Sequence, residues 1–174
     1  YPGQEGGTAL AQILFGEVNP SAKLPFSYIQ EKLESPAFNG YMNPDLKVKL
    51  DEGIFTGYCY YEKNNIEPLF PFGFGLSYTT FEYSNLKIKK NSRLNYSVSF
   101  DIKNTGKIKG AETAQLYIGQ KNCKFARPVK ELKGFAKTEL IPGEKRTVTI
   151  TLNERSFQYF NPETKEWTAD KDEF

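Results

Sequence analysis

The chain has 174 residues, with 23 basic against 21 acidic for a net charge of +2, two cysteines and no histidine. So balanced a surface supplies no field that recruits a nucleic acid or an anionic membrane, and two cysteines on opposite sides of the chain's midpoint suggest neither a disulfide framework nor a zinc site, only free thiols. Without histidine, a Ser/His/Asp triad, a histidine-ligated metal and a histidine general base cannot be built, which leaves carboxylates, Lys, Tyr and Cys as the available chemistry.

Residues 4–15 predict a short amphipathic helix, with Leu10, Ile13 and Leu14 on one face and Gly16 at its close. Glu5 is expected in its first turn, where the helix dipole favours a negative side chain by about 0.3–1 kcal/mol. Two prolines in Asn19-Pro20-Ser21-Ala22-Lys23-Leu24-Pro25 forbid a continuing helix and predict a turn into a short extended piece ending at Tyr28. Residues 30–49 have no clear period; with Pro36, Asn39-Gly40 and Asn43-Pro44 among charges they read as a surface loop. Residues 51–61 return to strand-like composition and are expected to form one strand at a sheet edge, with a turn at Lys63-Asn64-Asn65. Within it Glu52 follows Asp51. Paired carboxylates can raise one pKa as a general acid requires, but neighbours in an extended chain point to opposite faces, so a strand-start or hydrogen-bonding role is expected instead.

The stretch 68–81, Pro-Leu-Phe-Pro-Phe-Gly-Phe-Gly-Leu-Ser-Tyr-Thr-Thr-Phe, is too dense in rings and too broken by Pro and Gly for a helix, and reads as a joint between two kinds of structure. Period-two alternation follows: strands are predicted over 83–88, over 94–102 with Tyr96, Val98, Phe100 and Ile102 on one face, and over 111–118, 129–139, 146–152, 158–160 and 166–168. The segments 104–110 and 141–145 have the composition of turns between antiparallel strands. Lys87, Lys89 and Lys90 then fall on a solvated strand face, and Tyr159 and Trp167 are expected in core or corner positions. Seven short strands at this spacing predict a mainly β chain: an immunoglobulin-like or fibronectin type III-like sandwich. Residues 171–174 look like the opening of a further strand. The chain opens on Tyr1-Pro2-Gly3 without an initiator Met or a signal peptide, and no run of about 18 apolar residues is present to cross a bilayer. It is expected to be cut from a longer protein.

Five motifs carry a resemblance that alternation alone does not supply: Tyr1-Pro2-Gly3-Gln4-Glu5-Gly6-Gly7-Thr8-Ala9, the stretch 14–25, Glu52-Gly53-Ile54-Phe55-Thr56-Gly57-Tyr58, the joint, and Pro128-Val129-Lys130-Glu131-Leu132-Lys133-Gly134-Phe135. In that order they closely resemble the C-terminal part of family 3 glycoside hydrolases, typified by β-glucosidases. The resemblance implies a three-part enzyme: a barrel-like domain, an α/β sandwich domain and a fibronectin type III-like domain. On this reading residues 1–67 are the C-terminal tail of the α/β sandwich domain, 68–81 the interdomain joint, and 82–174 the fibronectin type III-like domain, lacking its last strand. The family's retaining mechanism uses an Asp nucleophile and a Glu acid/base roughly 5 Å apart. Both are expected upstream of this chain, so no catalytic residue is assigned within it.

Tyr58, Tyr61 and Phe74 are the candidate substrate-binding residues, since with Tyr60 they could form an aromatic platform for sugar rings; interdomain packing is the favoured role for the same rings. Cys59 stands where the family commonly has Arg, and Phe74 where His or Tyr is frequent, which puts any guanidinium contact at position 59 in doubt. Asn95-Tyr96-Ser97 is a formal glycosylation sequon, expected to be unused. The resemblance therefore implies a part of a retaining β-glucosidase acting on terminal β-D-glucosyl residues, with a structural, docking role and no catalysis by itself. The alternatives are a carbohydrate-binding module or a family 3 enzyme for xylose, arabinose or N-acetylglucosamine. The expected partners are β-linked glucosides or oligosaccharides, through the parent enzyme, and the remainder of the parent chain; no nucleic acid, membrane, metal or organic cofactor is expected. A secreted or periplasmic location is favoured over a cytoplasmic one.

Overall fold

In the computed structural model, residues 3–38, 40 and 47–174 are described. The turn signals at Asn39 and Asn43-Pro44, and the opening Tyr1-Pro2, lie outside the described residues. Helix α1, Gly6–Leu14, ends where Phe15 and Gly16 bond back to Ala11 and Ile13, with Gly16 at φ +78° as the C-terminal signal requires. Glu5 is not in the first turn. It stands at the position before the helix, its carboxylate accepting from the Thr8 hydroxyl at 3.1 Å. Leu10 and Leu14 lie on α1 57 % and 69 % exposed, so the apolar face is present but uncovered.

The proline-bearing segment after α1 does become extended, and its partner is the joint. Leu24 and Gly73–Phe74 exchange backbone bonds of 2.8 Å, and Tyr28 pairs antiparallel with Phe70. Asn19 fastens the far end of this pairing, its side chain taking the Tyr78 amide at 2.7 Å and contacting the Ser77 hydroxyl at 3.1 Å, while the Tyr78 hydroxyl donates to Ile13 at 2.9 Å. Gly73 has φ +81°, a backbone conformation that an L side chain resists, which explains a glycine in this run; a Cβ there would also press on the end of the Gln115 side chain.

The expected edge strand at 51–61 is not a strand. Residues 51–54 turn, and helix α2, Tyr58–Lys63, follows Gly57, whose φ +57° and ψ −133° an L side chain strongly resists. Asn64 closes α2 by donating to the Tyr60 carbonyl at 2.8 Å. Tyr and Cys at 58–61 have strand propensity, but the burial of Cys59 and Tyr61 together with the ring packing of Tyr58 decides in favour of the helix.

After the joint come seven strands: β1 Phe81–Ser92, β2 Asn95–Asn104, β3 Gly110–Ile118, β4 Glu131–Leu140, β5 Lys145–Leu152, β6 Tyr159–Asn161 and β7 Glu166–Thr168. They form an antiparallel sheet in the order β1-β2-β5, a second sheet β3-β4, and the hairpin β6-β7. The alternating residues Val98, Phe100 and Ile102 of β2 meet Ala114, Leu140, Val148, Ile150, Leu152 and Phe157 in one core, as the period-two pattern requires. The chain is mainly β. Residues 171–174 are not a regular strand, yet Lys121 donates to the Glu173 carbonyl at 3.0 Å and Phe174 packs edge-on against Phe157 at 5.2 Å.

Asn104 sits at the end of β2 with no exposed surface. Its amide donates to the carbonyls of Ile108 and Leu140 at 2.8 and 3.0 Å, and its side-chain oxygen accepts from the Thr79 hydroxyl at 2.6 Å and the Gly106 amide at 3.0 Å. One side chain thus ties the joint, the β2–β3 turn and β4. On the other flank of the sandwich β1 and β3 each have an unpaired edge, and between them two confluent cavities of about 340 and 470 Å³ form an apolar trough that includes Leu86, Ile88, Leu116, Ile118 and Phe174.

Candidate functional site

The seam where α2 and the joint meet the β3–β4 sheet is where aromatic and charged groups converge. Gly57 starts α2 at an angle that delivers Tyr58 between the two parts: its ring stacks on Phe72 of the joint at 4.7 Å and meets Tyr117 of β3 edge-on at 5.9 Å. Its hydroxyl accepts the Leu132 amide of β4 at 2.9 Å. Burial pushes its pKa up to about 12, so the phenol is a neutral structural group, not a base, at ordinary pH.

One turn along α2, Glu62 forms an ion pair with Lys130 at 2.8 Å, and the Lys130 ammonium lies 5.4 Å from the Tyr117 ring centre. These groups, with Phe72 and Gln115, enclose a cavity of about 360 Å³. The second Glu62 oxygen is buried and has no hydrogen-bond partner. Gln115 donates to the Gly73 carbonyl at 3.0 Å and accepts from the Tyr117 hydroxyl, which fixes both amide ends. Farther along β4, Glu131 is held between Arg127 and Lys133, at 2.5 and 3.1 Å. Glu62 and Glu131 are therefore engaged as ion pairs, an arrangement that locks an interface and does not set up a general acid beside a nucleophile.

The three residues named from the sequence occupy different surroundings. Tyr58 lies in the seam. Tyr61 is buried on α2 with its ring edge-on to Tyr60 at 5.7 Å, and burial raises its pKa. Phe74 packs on Phe70 at 5.0 Å, in the pairing of joint and proline segment. Among the described residues no ring contact joins them into one platform. Cys59 is a buried free thiol whose pKa burial pushes up, and Cys123 is also unpaired. Glu52 lies in the turn before α2, its carbonyl accepting the Phe55 amide at 3.0 Å, while one carboxylate oxygen is buried without a partner. The clamp roles of Asn19 and Asn104 carry no signal in local pattern, because the partners that make them clamps, Ser77 and Tyr78 for the one and Thr79 and Leu140 for the other, lie far away in sequence.

Residues 1–78 match the profile of the glycosyl hydrolase family 3 C-terminal domain, and residues 112–174 that of the fibronectin type III-like domain. The chain is 48 % identical over 177 residues to thermostable beta-glucosidase B of Acetivibrio thermocellus, covering 99 % of itself and 23 % of that protein. It is 38 % identical over 172 residues to an exo-alpha-(1->6)-L-arabinopyranosidase of Bifidobacterium breve, with 99 % of the chain and 23 % of that protein covered. The crystal structure of a beta-glucosidase from Kluyveromyces marxianus in complex with glucose superposes on 92 % of this chain and 19 % of its own, with a TM-score of 0.87 and 45 % identity. The chain spans about a quarter of the length of the curated relatives it matches.

Proposed function

The chain belongs to glycosyl hydrolase family 3, in which it carries the C-terminal domain and the fibronectin type III-like domain, and from that premise we propose that it serves as the C-terminal part of a retaining β-glucosidase acting on terminal β-D-glucosyl residues. Its own task is docking. Residues 1–67 finish the α/β sandwich domain, 68–81 join it to the sandwich of 82–174, and that sandwich takes one more strand along its apolar trough. The catalytic Asp and Glu belong to the rest of the parent.

The observation that carries this reading is the use to which the motif residues are put. Asn19, Tyr58, Phe72, Gly73 and Thr79 are all engaged in bonds or ring contacts between segments, and the seam carboxylates Glu62 and Glu131 are paired with cations. Such groups hold two bodies in one orientation and have no free proton to transfer. Hydrolysis of an aryl β-glucoside by the purified 174-residue chain tests it: no release above the buffer rate is expected, and turnover that persists after further purification overturns it. A second reading keeps the family and the docking role and changes the sugar, since a relative of comparable identity is named an arabinopyranosidase. Assaying the parent on aryl β-glucoside and aryl α-L-arabinopyranoside separates the two.

A further inference from the structure

Next to the seam, and sharing Glu131 and Leu132 with it, the β6–β7 hairpin, the loop before it and the segment 125–133 enclose a cleft of about 590 Å³. Phe160 and Trp167 face each other across the hairpin, edge to face at 5.6 Å. A core or corner role would bury them. Instead each keeps 49 % of its surface open.

Beside them the Arg155 guanidinium lies over the Trp167 ring, 2.9 Å from its centre. Among the described residues no acceptor takes its N–H groups. The other arginine of the cleft differs in this respect. Arg127 is 9 % exposed and bonds Gln120, Glu131 and the Phe157 carbonyl. Arg155 is thus a planar fork of donors, held in place by a stacked ring and unused by the protein. The side-chain amides of Asn153 and Gln158 line the same cleft.

Open aromatic surface beside in-plane donors and amides matches one ligand chemistry well. A pyranose with equatorial hydroxyls presents an apolar C–H face to a ring and pairs of neighbouring oxygens to a guanidinium or an amide. The cleft lining carries three cations, Arg127, Lys133 and Arg155, against the one carboxylate Glu131; Arg127 and Lys133 are both engaged by that carboxylate, and Arg155 is the cation left without one. We propose that this cleft binds a neutral oligosaccharide of β-linked glucose units, with Phe160 as the stacking surface, Arg155 as the hydroxyl-binding fork and Trp167 as the ring that carries that fork. The choice of β-linked glucose rests on the reading of the parent given above; the cleft's suitability for a saccharide does not.

Trp167 is the only tryptophan of the chain, so its fluorescence reports the site directly. Titration of the 174-residue chain with cellotetraose is expected to shift Trp167 emission saturably, with a dissociation constant on the order of 1 mM. Arg155→Ala and Phe160→Ala should each weaken binding about tenfold, and Arg155→Lys, the milder change, should also weaken it because the fork is lost. Phe135→Ala, at an exposed ring on β4 outside the cleft, should leave binding unchanged. Far-UV circular dichroism and the thermal midpoint verify that each variant is folded, since loss of Arg155 or Phe160 alters the surroundings of Trp167 directly. No saturable response up to about 20 mM, or affinity undiminished in all three cleft variants, overturns the proposal. Tighter binding of an oligoglucuronate than of cellotetraose also overturns it, by making the ligand an anion. Hydrolysis of an aryl glucoside by the chain would sink the docking role and leave this cleft untouched, so the two failures are distinguishable.

Discussion

Asn104 uses its whole side-chain hydrogen-bonding capacity inside the protein, two donors and two acceptor sites. Asn104→Ala would leave the Thr79 hydroxyl and the Leu140 carbonyl short of a partner in a buried place, a loss of about 2–4 kcal/mol. The urea midpoint should fall with an unchanged slope. Asp101 on β2 is the second residue with a sharp expectation. Its carboxylate accepts from Thr147 at 2.6 Å and Asn85 at 2.8 Å and lies 3.2 Å from the Lys145 ammonium, and these bonds hold its pKa down to about 2. An unfolded aspartate titrates near 3.9. The stability it contributes is therefore full above about pH 4 and is lost as the pH falls toward about 2. Asp101→Asn should flatten that part of the acid limb of the melting temperature and leave the profile near pH 7 with the same slope.

At the scale of elements, Gly57→Ala is the informative change. The backbone at Gly57 has φ +57° and ψ −133°, and a Cβ there costs on the order of 2 kcal/mol; the surrounding space is open, so the effect is conformational and not steric crowding. Amide exchange is expected to speed up in α2 and not in β2. The same helix marks the limit of what local pattern reveals. Val98, Phe100 and Ile102 were legible as one buried face because the alternation is itself the consequence of a two-sided sheet. Tyr58 to Tyr61 were not, since their strand propensity is overruled by contacts to Phe72 and Tyr117 more distant in the chain. The joint was recognisable as a boundary from its Pro and Gly; that it pairs with residues 22–28 was not, because Ser, Lys, Leu and Pro there mark an extended segment without naming its partner. Tyr159 and Trp167 both read as core or corner residues, yet a hairpin of two three-residue strands has only one sheltered side, and Tyr159 occupies it while Trp167 stays half exposed.

Taken as one body, the molecule is well closed at the Asn104 end and open along its β1 and β3 flank. Leu86 and Ile88 stand about two-thirds exposed beside two unpaired strand edges, the combination that invites another strand. The isolated 174-residue chain should accordingly self-associate, with a sedimentation coefficient that rises with concentration. Ile88→Lys, on a side chain with little burial to lose, should suppress that rise while moving the thermal midpoint little. A chain that sediments as a monomer at all concentrations would show that the trough is not sticky. At the opposite end the bare apolar face of α1, Leu10 and Leu14 included, is the surface the proposed α/β domain would cover.

The clamp at Asn104 also sets an order in time. Thr79 is held by Asn104, and Asn104 in turn bonds Leu140, so the joint has no complete anchor until β4 has been synthesised. At about 5–20 residues per second, β4 leaves the ribosome several seconds after the joint does. During that interval everything upstream of Thr79 can fold, yet nothing fixes the angle at which the sandwich will sit. The relative orientation of the two parts is therefore a late decision of biosynthesis, completed when Lys130 and Leu132 reach the seam and the Asn104 amide finds its last carbonyl.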